Sequence, residues 1–314
     1  PAADVNYTFG QVSVTDALVD YTGNCGNISS AVGPYAIDEG LVPVPREGEG
    51  TVRIHNTNTR KIIVARVPVR DGQAAVEGDF GLQGVSGTGA RLVLEFLDPG
   101  GAVTGKLLPT GTVKDVLEIP GIGGLMVSVV DATNPMVFVR AADLGLQGTE
   151  HPEAIDRNTA LTTRLEQIRA TVAVRIGLAG TTQEASRKSP AVPKIAVVCP
   201  PVLYRDLSGT EVPATSTDIC ARVMSMGKAH RAFALTAAMC LAVAARIPGT
   251  VAHEAVGPAA ADPAADIRLG HPSGVLPIAA SVHGGRAEKG VVYRTARRLM
   301  EGSIRVPTHV LQGK

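Results

Sequence analysis

Residues 20–32 read Asp-Tyr-Thr-Gly-Asn-Cys-Gly-Asn-Ile-Ser-Ser-Ala-Val, a thiol set between two glycines and two asparagines directly before a segment of helical periodicity. Ile28, Ala31, Val32, Tyr35 and Ala36 recur at helical spacing, which predicts a helix that buries this stripe and starts beside Cys25. Gly33-Pro34 predicts a kink inside it and Gly40 its stop. Free amide N–H groups and the positive dipole end at such a first turn favour a thiolate and hold a carboxylate. The flanking glycines and asparagines suit close backbone approach and anion capture. A structural thiol buried behind a glycine turn is the competing reading, because free cysteine is among the most buried residue types. Both readings stand on this stretch alone.

The rest of the chain surrounds that helix with strands. Alternation predicts strand structure over residues 7–19, 51–56, 61–69 and 91–97, with an Asp71-Gly72 turn and a stop at residues 98–101. A second unit begins near Leu117, with strands at 125–131 and 136–141. A helix follows over 152–176, striped by Leu161, Leu165, Ile168 and Val172. After a strand at 194–199, a long buried helix is predicted from about Ser216, with Asp218 complementing its dipole. Its seam runs through Ile219, Val223, Met226, His230, Phe233, Ala237, Cys240 and Ala244, and Pro248-Gly249 ends it. The tail returns to strands at 265–268, 275–282, 291–298 and 303–306, after an Ala/Pro/Gly surface loop at 256–265. This pattern predicts an α+β fold of two similar halves, 1–116 and 117–314, each a central helix wrapped by a mainly antiparallel sheet. A cleft between them is the natural site.

Several classes of function fall away. A net charge of +1 and the absence of a Lys/Arg stripe argue against a nucleic-acid or anionic-membrane surface. Aromatic residues make up 3% of the chain and Trp is absent, so base-stacking platforms are not expected. The apolar run 232–245 is too short for a membrane span and reads as a core helix. The four cysteines, at 25, 199, 220 and 240, form no C-x-x-C pair, which fits reduced thiols in a cytoplasm. Cys199, Cys220 and Cys240 read as core residues. The seven histidines are scattered without metal-ligand spacing, and no phosphate-binding glycine loop occurs, so no metal and no nucleotide is expected.

A second glycine-flanked loop, Gly270-His271-Pro272-Ser273-Gly274, mirrors the Cys25 loop in the other half. Its N–H groups and the Ser273 hydroxyl could address one anion, and a plain glycine-rich hairpin is the alternative. His230 reads as a satisfied core histidine, with Lys228 and Arg231 on neighbouring helix faces, and Arg294, Arg297 and Arg298 read as a solvated strand edge.

Long motifs carry a family resemblance. They are Phe9-Gly10-Gln11-Val12, residues 20–27 and 31–42, Leu107-Leu108-Pro109-Thr110-Gly111, Val130-Asp131-Ala132 with Asn134-Pro135, Gly148-Thr149-Glu150, residues 271–274 and residues 294–300. Together they resemble the propionate-catabolism accessory isomerases of the diaminopimelate-epimerase-like superfamily, across essentially the whole chain. The resemblance implies two helix-centred halves with the site between them and no cofactor. It also implies a 1,3-proton shift in an unsaturated di- or tricarboxylate, either isomerisation of 2-methylaconitate or 3-methylitaconate or tautomerisation of 4-oxalomesaconate. Carried over by position, Cys25 is the thiol acid/base; Asn24, Gly26 and Asn27 bind one carboxylate, and His271, Ser273 and Gly274 another. The loop 271–274 holds no cysteine, so the two-thiol arrangement of racemases with this fold is absent. In these isomerases a catalytic lysine lies upstream of the thiol loop, whereas no lysine precedes Lys61 here. The resemblance therefore implies either that the second acid/base group lies before Pro1 or that this is a degenerate member, and without that segment it predicts a first-half sheet short of strands, with exposed edges. It leaves room for a functional link to an aconitase-type dehydratase, for a non-catalytic supporting role beside one, and for a homodimer.

Overall fold

The computed structural model describes residues 2–12, 19–21, 24–121, 123–258, 262 and 264–308; part of the segment 7–19 and of the loop 256–265 lies outside them. Among the described residues the centre is a fourteen-stranded, mainly antiparallel sheet. Its path runs Val5–Tyr7, Gly48–Asn56, Lys61–Arg70, Leu92–Leu97, Arg286–Arg294, Gly274–His283, Ile267–His271, Ile219–Ser225, Lys194–Cys199, Asn134–Arg140, Gly123–Ala132 and Asp115–Ile119. The first and last parts of the chain join where Leu92–Leu97 pairs antiparallel with Arg286–Arg294, Leu94 opposite Val292. Apolar alternation buries Val52, Ile54, Leu92 and Leu94 beneath this junction.

Helix α1 spans Gly26–Asp38, with Cys25 at its N-cap, Pro34 inside it and Gly40 beyond it at φ +65°. Glycine suits that left-handed stop. The predicted apolar stripe is not the buried face: Ile28 and Tyr35 are 50% and 56% exposed, while Gly26, Ser29, Ser30, Gly33 and Ile37 are buried. The reason is distance of approach. A β-carbon at Gly33 would lie 2.8 Å from Ala65 Cβ, so α1 seats on strand Lys61–Arg70 mainly through small residues, with Ile37 and the predicted Ala36 buried and Ile28 and Tyr35 turned outward.

Helices α2, Pro152–Arg157, and α3, Thr159–Arg175, occupy the predicted single helix at 152–176. Asn158, at φ −87° and ψ 87°, breaks it, and its side chain accepts from Leu161 N–H to cap α3. Helix α4 spans Thr182–Lys188, α5 Leu235–Ala245 and α6 Val251–Val256. Every residue of α5 except Thr236 is buried, so the apolar run at 232–245 is the core helix expected of it. Among the described residues no helix is long and apolar enough to cross a membrane.

The helix predicted from Ser216 begins only at Leu235, and its predicted first half is not helical. Residues Ile219–Ser225 form a strand buried on both faces, lying between Lys194–Cys199 and Ile267–His271. A strand covered on both sides shows no alternation, and its apolar run is indistinguishable by periodicity from a buried helix. Met226 and Gly227, at φ +52° and +75°, then reverse the chain. Asp218 accordingly caps no helix and instead pairs with Arg268 at 2.6 Å. His230 and Arg231 sit in the loop before α5, and no strand forms at 303–306.

Candidate active site

Two helix starts meet at the junction. A β-carbon at Gly26 would fall 2.7 Å from Leu235 Cδ2, so the first turn of α1 packs against the first turn of α5 with only a hydrogen between them. Cys25 stands at this contact, partly exposed, with its carbonyl accepting from Ser29 N–H at 3.0 Å and from Ser29 Oγ at 2.9 Å. The other three cysteines are buried. Opposed dipoles cost energy wherever helix N-termini converge, and an anion placed between them lowers that cost.

Beside Cys25 opens a cavity of about 490 Å³, lined among others by Asn24, Asn58, Lys61, Thr133, Lys194 and Thr236. Sequence reasoning missed Lys194 because strand Lys194–Cys199 is otherwise apolar. Its ammonium donates to Ser225 Oγ at 3.1 Å and Ala191 O at 3.3 Å, and burial, with Arg169 nearby, holds it below the usual lysine range. Thr133, at φ +64°, donates from Oγ1 to Thr236 O at 2.8 Å and thereby ties the strand turn to α5. A β-branched residue in that conformation is strained, and such strain gathers at functional sites. This gives the Val130-Asp131-Ala132 and Asn134-Pro135 motifs their place. Asp131 accepts from Thr104 Oγ1 at 2.8 Å and from Val103 N–H at 2.9 Å, fixing the loop that borders the cavity.

The loop 270–274 lies on the other side of the α5 start. His271 and Gly274 face each other as the last pair of a hairpin. Tyr204 donates its hydroxyl to His271 O at 2.9 Å and Gly274 O at 2.6 Å, holding the turn from within. Arg222 lies 5.2 Å over the Tyr204 ring and donates to the carbonyls of Thr149 and Glu150, which explains the Gly148-Thr149-Glu150 motif. The Ser273 hydroxyl is engaged, donating to Arg231 O at 2.6 Å, and Ser273 N–H bonds His271 Nδ1 at 3.2 Å. Gln83 lies against Gly274, its Oε1 2.7 Å from where a β-carbon would stand. The turn therefore joins the site as a pinned wall beside the α5 loop, with its hydroxyl already used.

Several basic groups gather in this region, with Asp206 opposing their effect on His271. Burial first, then Arg222, His230 and Arg294, pushes the His271 imidazole down to about 4. Burial also lowers His230, with Lys194 adding to the effect, and pushes Arg294 down to about 10. Arg294 is the last residue of its strand and only 8% exposed. Among the described residues, neither Arg294 nor Lys194 has a carboxylate within ion-pair distance. Arg298, beyond the strand, pairs with Glu39 and Glu301 at the surface. Buried cations without anions are costly unless a ligand supplies the charge.

The family described as PrpF protein matches residues 1–307. The 3-methylitaconate isomerase of Eubacterium barkeri is 48% identical over 98% of this chain and 80% of its own length. The 2-methyl-aconitate isomerase of Shewanella oneidensis is 42% identical over 97% of this chain and 78% of its own. The crystal structure of methylitaconate-delta-isomerase superposes with a TM-score of 0.90 at 48% identity, covering 96% of this chain and 77% of that one. The chain therefore belongs to the PrpF family and is an isomerase.

Proposed function

We propose that this isomerase catalyses a cofactor-independent 1,3-proton shift in an unsaturated di- or tricarboxylate of the methylitaconate and methylaconitate type, with Cys25 as one of its two acid/base groups. The observation that carries the reading is the placement of the partly exposed Cys25 at the meeting of two helix starts, with Arg294 bonded to Asn27 and Lys194 on the wall of the adjoining cavity, neither with an ion-pair partner among the described residues. A substrate carboxylate placed there completes the charge balance. The base removes a proton from the carbon at one end of the allyl unit, the double bond moves by one position, and the acid returns a proton at the other end. Negative charge developing on the conjugated carboxylate is met by the N–H groups of the first turn of α1 and by Lys194. The buried walls supply α5 and Tyr204 as rigid supports, so the donors need no reorganisation during the shift.

The test is Cys25→Ser, followed by proton exchange of methylitaconate or methylaconitate in deuterated water. Near-complete loss of exchange is expected, and exchange at the wild-type rate would overturn the assignment.

A further inference from the structure

The two asparagines that flank Cys25 have amide orientations fixed by chemistry. A guanidinium can only donate, so Arg294 Nε, 3.2 Å from the Asn27 amide, must face its oxygen. The Asn27 Nδ2 group is thereby turned away from Arg294 toward solvent, on an exposed side chain. Asn24 is fixed by a longer relay. The backbone N–H of Thr59, also donor-only, bonds Asn56 Oδ1 at 2.8 Å. Asn56, fully buried, must then turn its Nδ2 to Asn24, whose Oδ1 accepts at 3.1 Å. Asn24 lines the cavity, and its remaining amide end is the donor. Among the described residues neither Asn24 Nδ2 nor Asn27 Nδ2 has a hydrogen-bond partner.

We infer that Arg294 and Asn56 are positioning residues that set the polarity of Asn27 and Asn24, so that both asparagines beside Cys25 present N–H donors as a clamp for one substrate carboxylate. An asparagine left free to flip presents either end until the anion orders it, whereas a fixed one already presents its nitrogen. Arg294 also places a full positive charge behind Asn27. Because it is buried and held by Asn27 and by Tyr293 O at 2.7 Å, it acts through the asparagine.

The inference rests on the proposed polycarboxylate reading, and its test can fail separately. Calorimetry measures the Kd of the saturated probe propane-1,2,3-tricarboxylate, alongside KM and kcat, for wild type, Arg294→Lys, Arg294→Met and Asn27→Asp. Lysine is donor-only and keeps the polarity, so Arg294→Lys should stay within about threefold of wild type. Arg294→Met should raise Kd and KM at least tenfold, with kcat within about threefold. Asn27→Asp keeps its bond to Arg294 on an exposed side chain but offers only acceptors, and should raise Kd at least as much, which keeps the test decisive if Arg294→Met fails to fold. Unchanged binding in Arg294→Met or Asn27→Asp, equal impairment by Lys and Met, or no probe binding by the wild type would each overturn the inference. Probe binding that follows this pattern without turnover by the wild type would support the clamp while removing the proposed reaction.

Discussion

Tyr204→Phe isolates one hydroxyl at the base of the second loop. The ring stays, so its packing against Arg222, 5.2 Å away, is preserved, and only the hydrogen bonds to His271 O and Gly274 O are lost. One hydroxyl proton serves both carbonyls, so the direct loss is one bond of about 1 kcal/mol, and two buried acceptors are left short of a donor. Together these give about 1–3 kcal/mol of destabilisation. At roughly 2–4 °C per kcal/mol, the melting temperature should fall by roughly 2–12 °C. The hairpin turn should loosen before the sheet does, so hydrogen exchange at Ser273 N–H, bonded to His271 Nδ1, should speed up more than exchange in strand Gly274–His283. Thermal melts and exchange mass spectrometry read both. An unchanged melting temperature with unchanged exchange at residues 271–274 would refute the claim that this hydroxyl holds the turn.

Two further predictions follow from buried polar groups. The His271 imidazole is depressed to about 4 from the ordinary 6.5, so the unfolded chain takes up its proton first as pH falls. Its contribution is present above 6.5 and is lost as pH drops from there through 4, by up to about 3 kcal/mol at 1.36 kcal/mol per unit. Urea titrations from pH 7 to 4 should show wild type losing more stability than His271→Gln, and parallel curves would contradict this. Arg169, 3% exposed, bonds both oxygens of Glu166 and the carbonyls of Ala185, Ser189 and Val192. Arg169→Met should cost about 1–3 kcal/mol in denaturant melts, since it leaves three carbonyls without their donor, while the partly exposed Glu166 keeps Ser186. It should also raise KM, because the loop it holds leads into Lys194.

Legibility in the sequence followed the strength of local constraint. Strands 61–69 and 91–97, the apolar helix at 232–245 and the glycine stop at residue 40 were each written in periodicity or turn chemistry. Strand Ile219–Ser225 was not, because burial on both faces removes the alternation that marks a strand. The buried face of α1 was misread for a related reason. Hydrophobic stripes reveal ordinary packing, whereas α1 approaches strand Lys61–Arg70 so closely that glycine, serine and alanine form its inner face. In the site, the stretch around Cys25 announced itself, but Lys194, Asn56 and Arg294 did not. Each is a polar residue at the end of a strand, and nothing in its neighbours says which groups the opposite wall carries.

The lack of an ion pair at Lys194 and Arg294 among the described residues links fold to function. Packing Gly26 onto Leu235 brings two positive helix starts together, and Lys194, His230, His271 and Arg294 add charged or chargeable groups near them. Where the protein needs such groups only for stability it pairs them, as Arg169 with Glu166, Arg175 with Asp115 and Arg268 with Asp218. At the α1–α5 junction Lys194 and Arg294 have no such ion pair among the described residues, and burial depresses them instead. A core built for stability alone would be better served by apolar residues of the same size. The unpaired cations are consistent with a fold that gives up stability to keep positive charge desolvated and oriented for the carboxylates of a ligand.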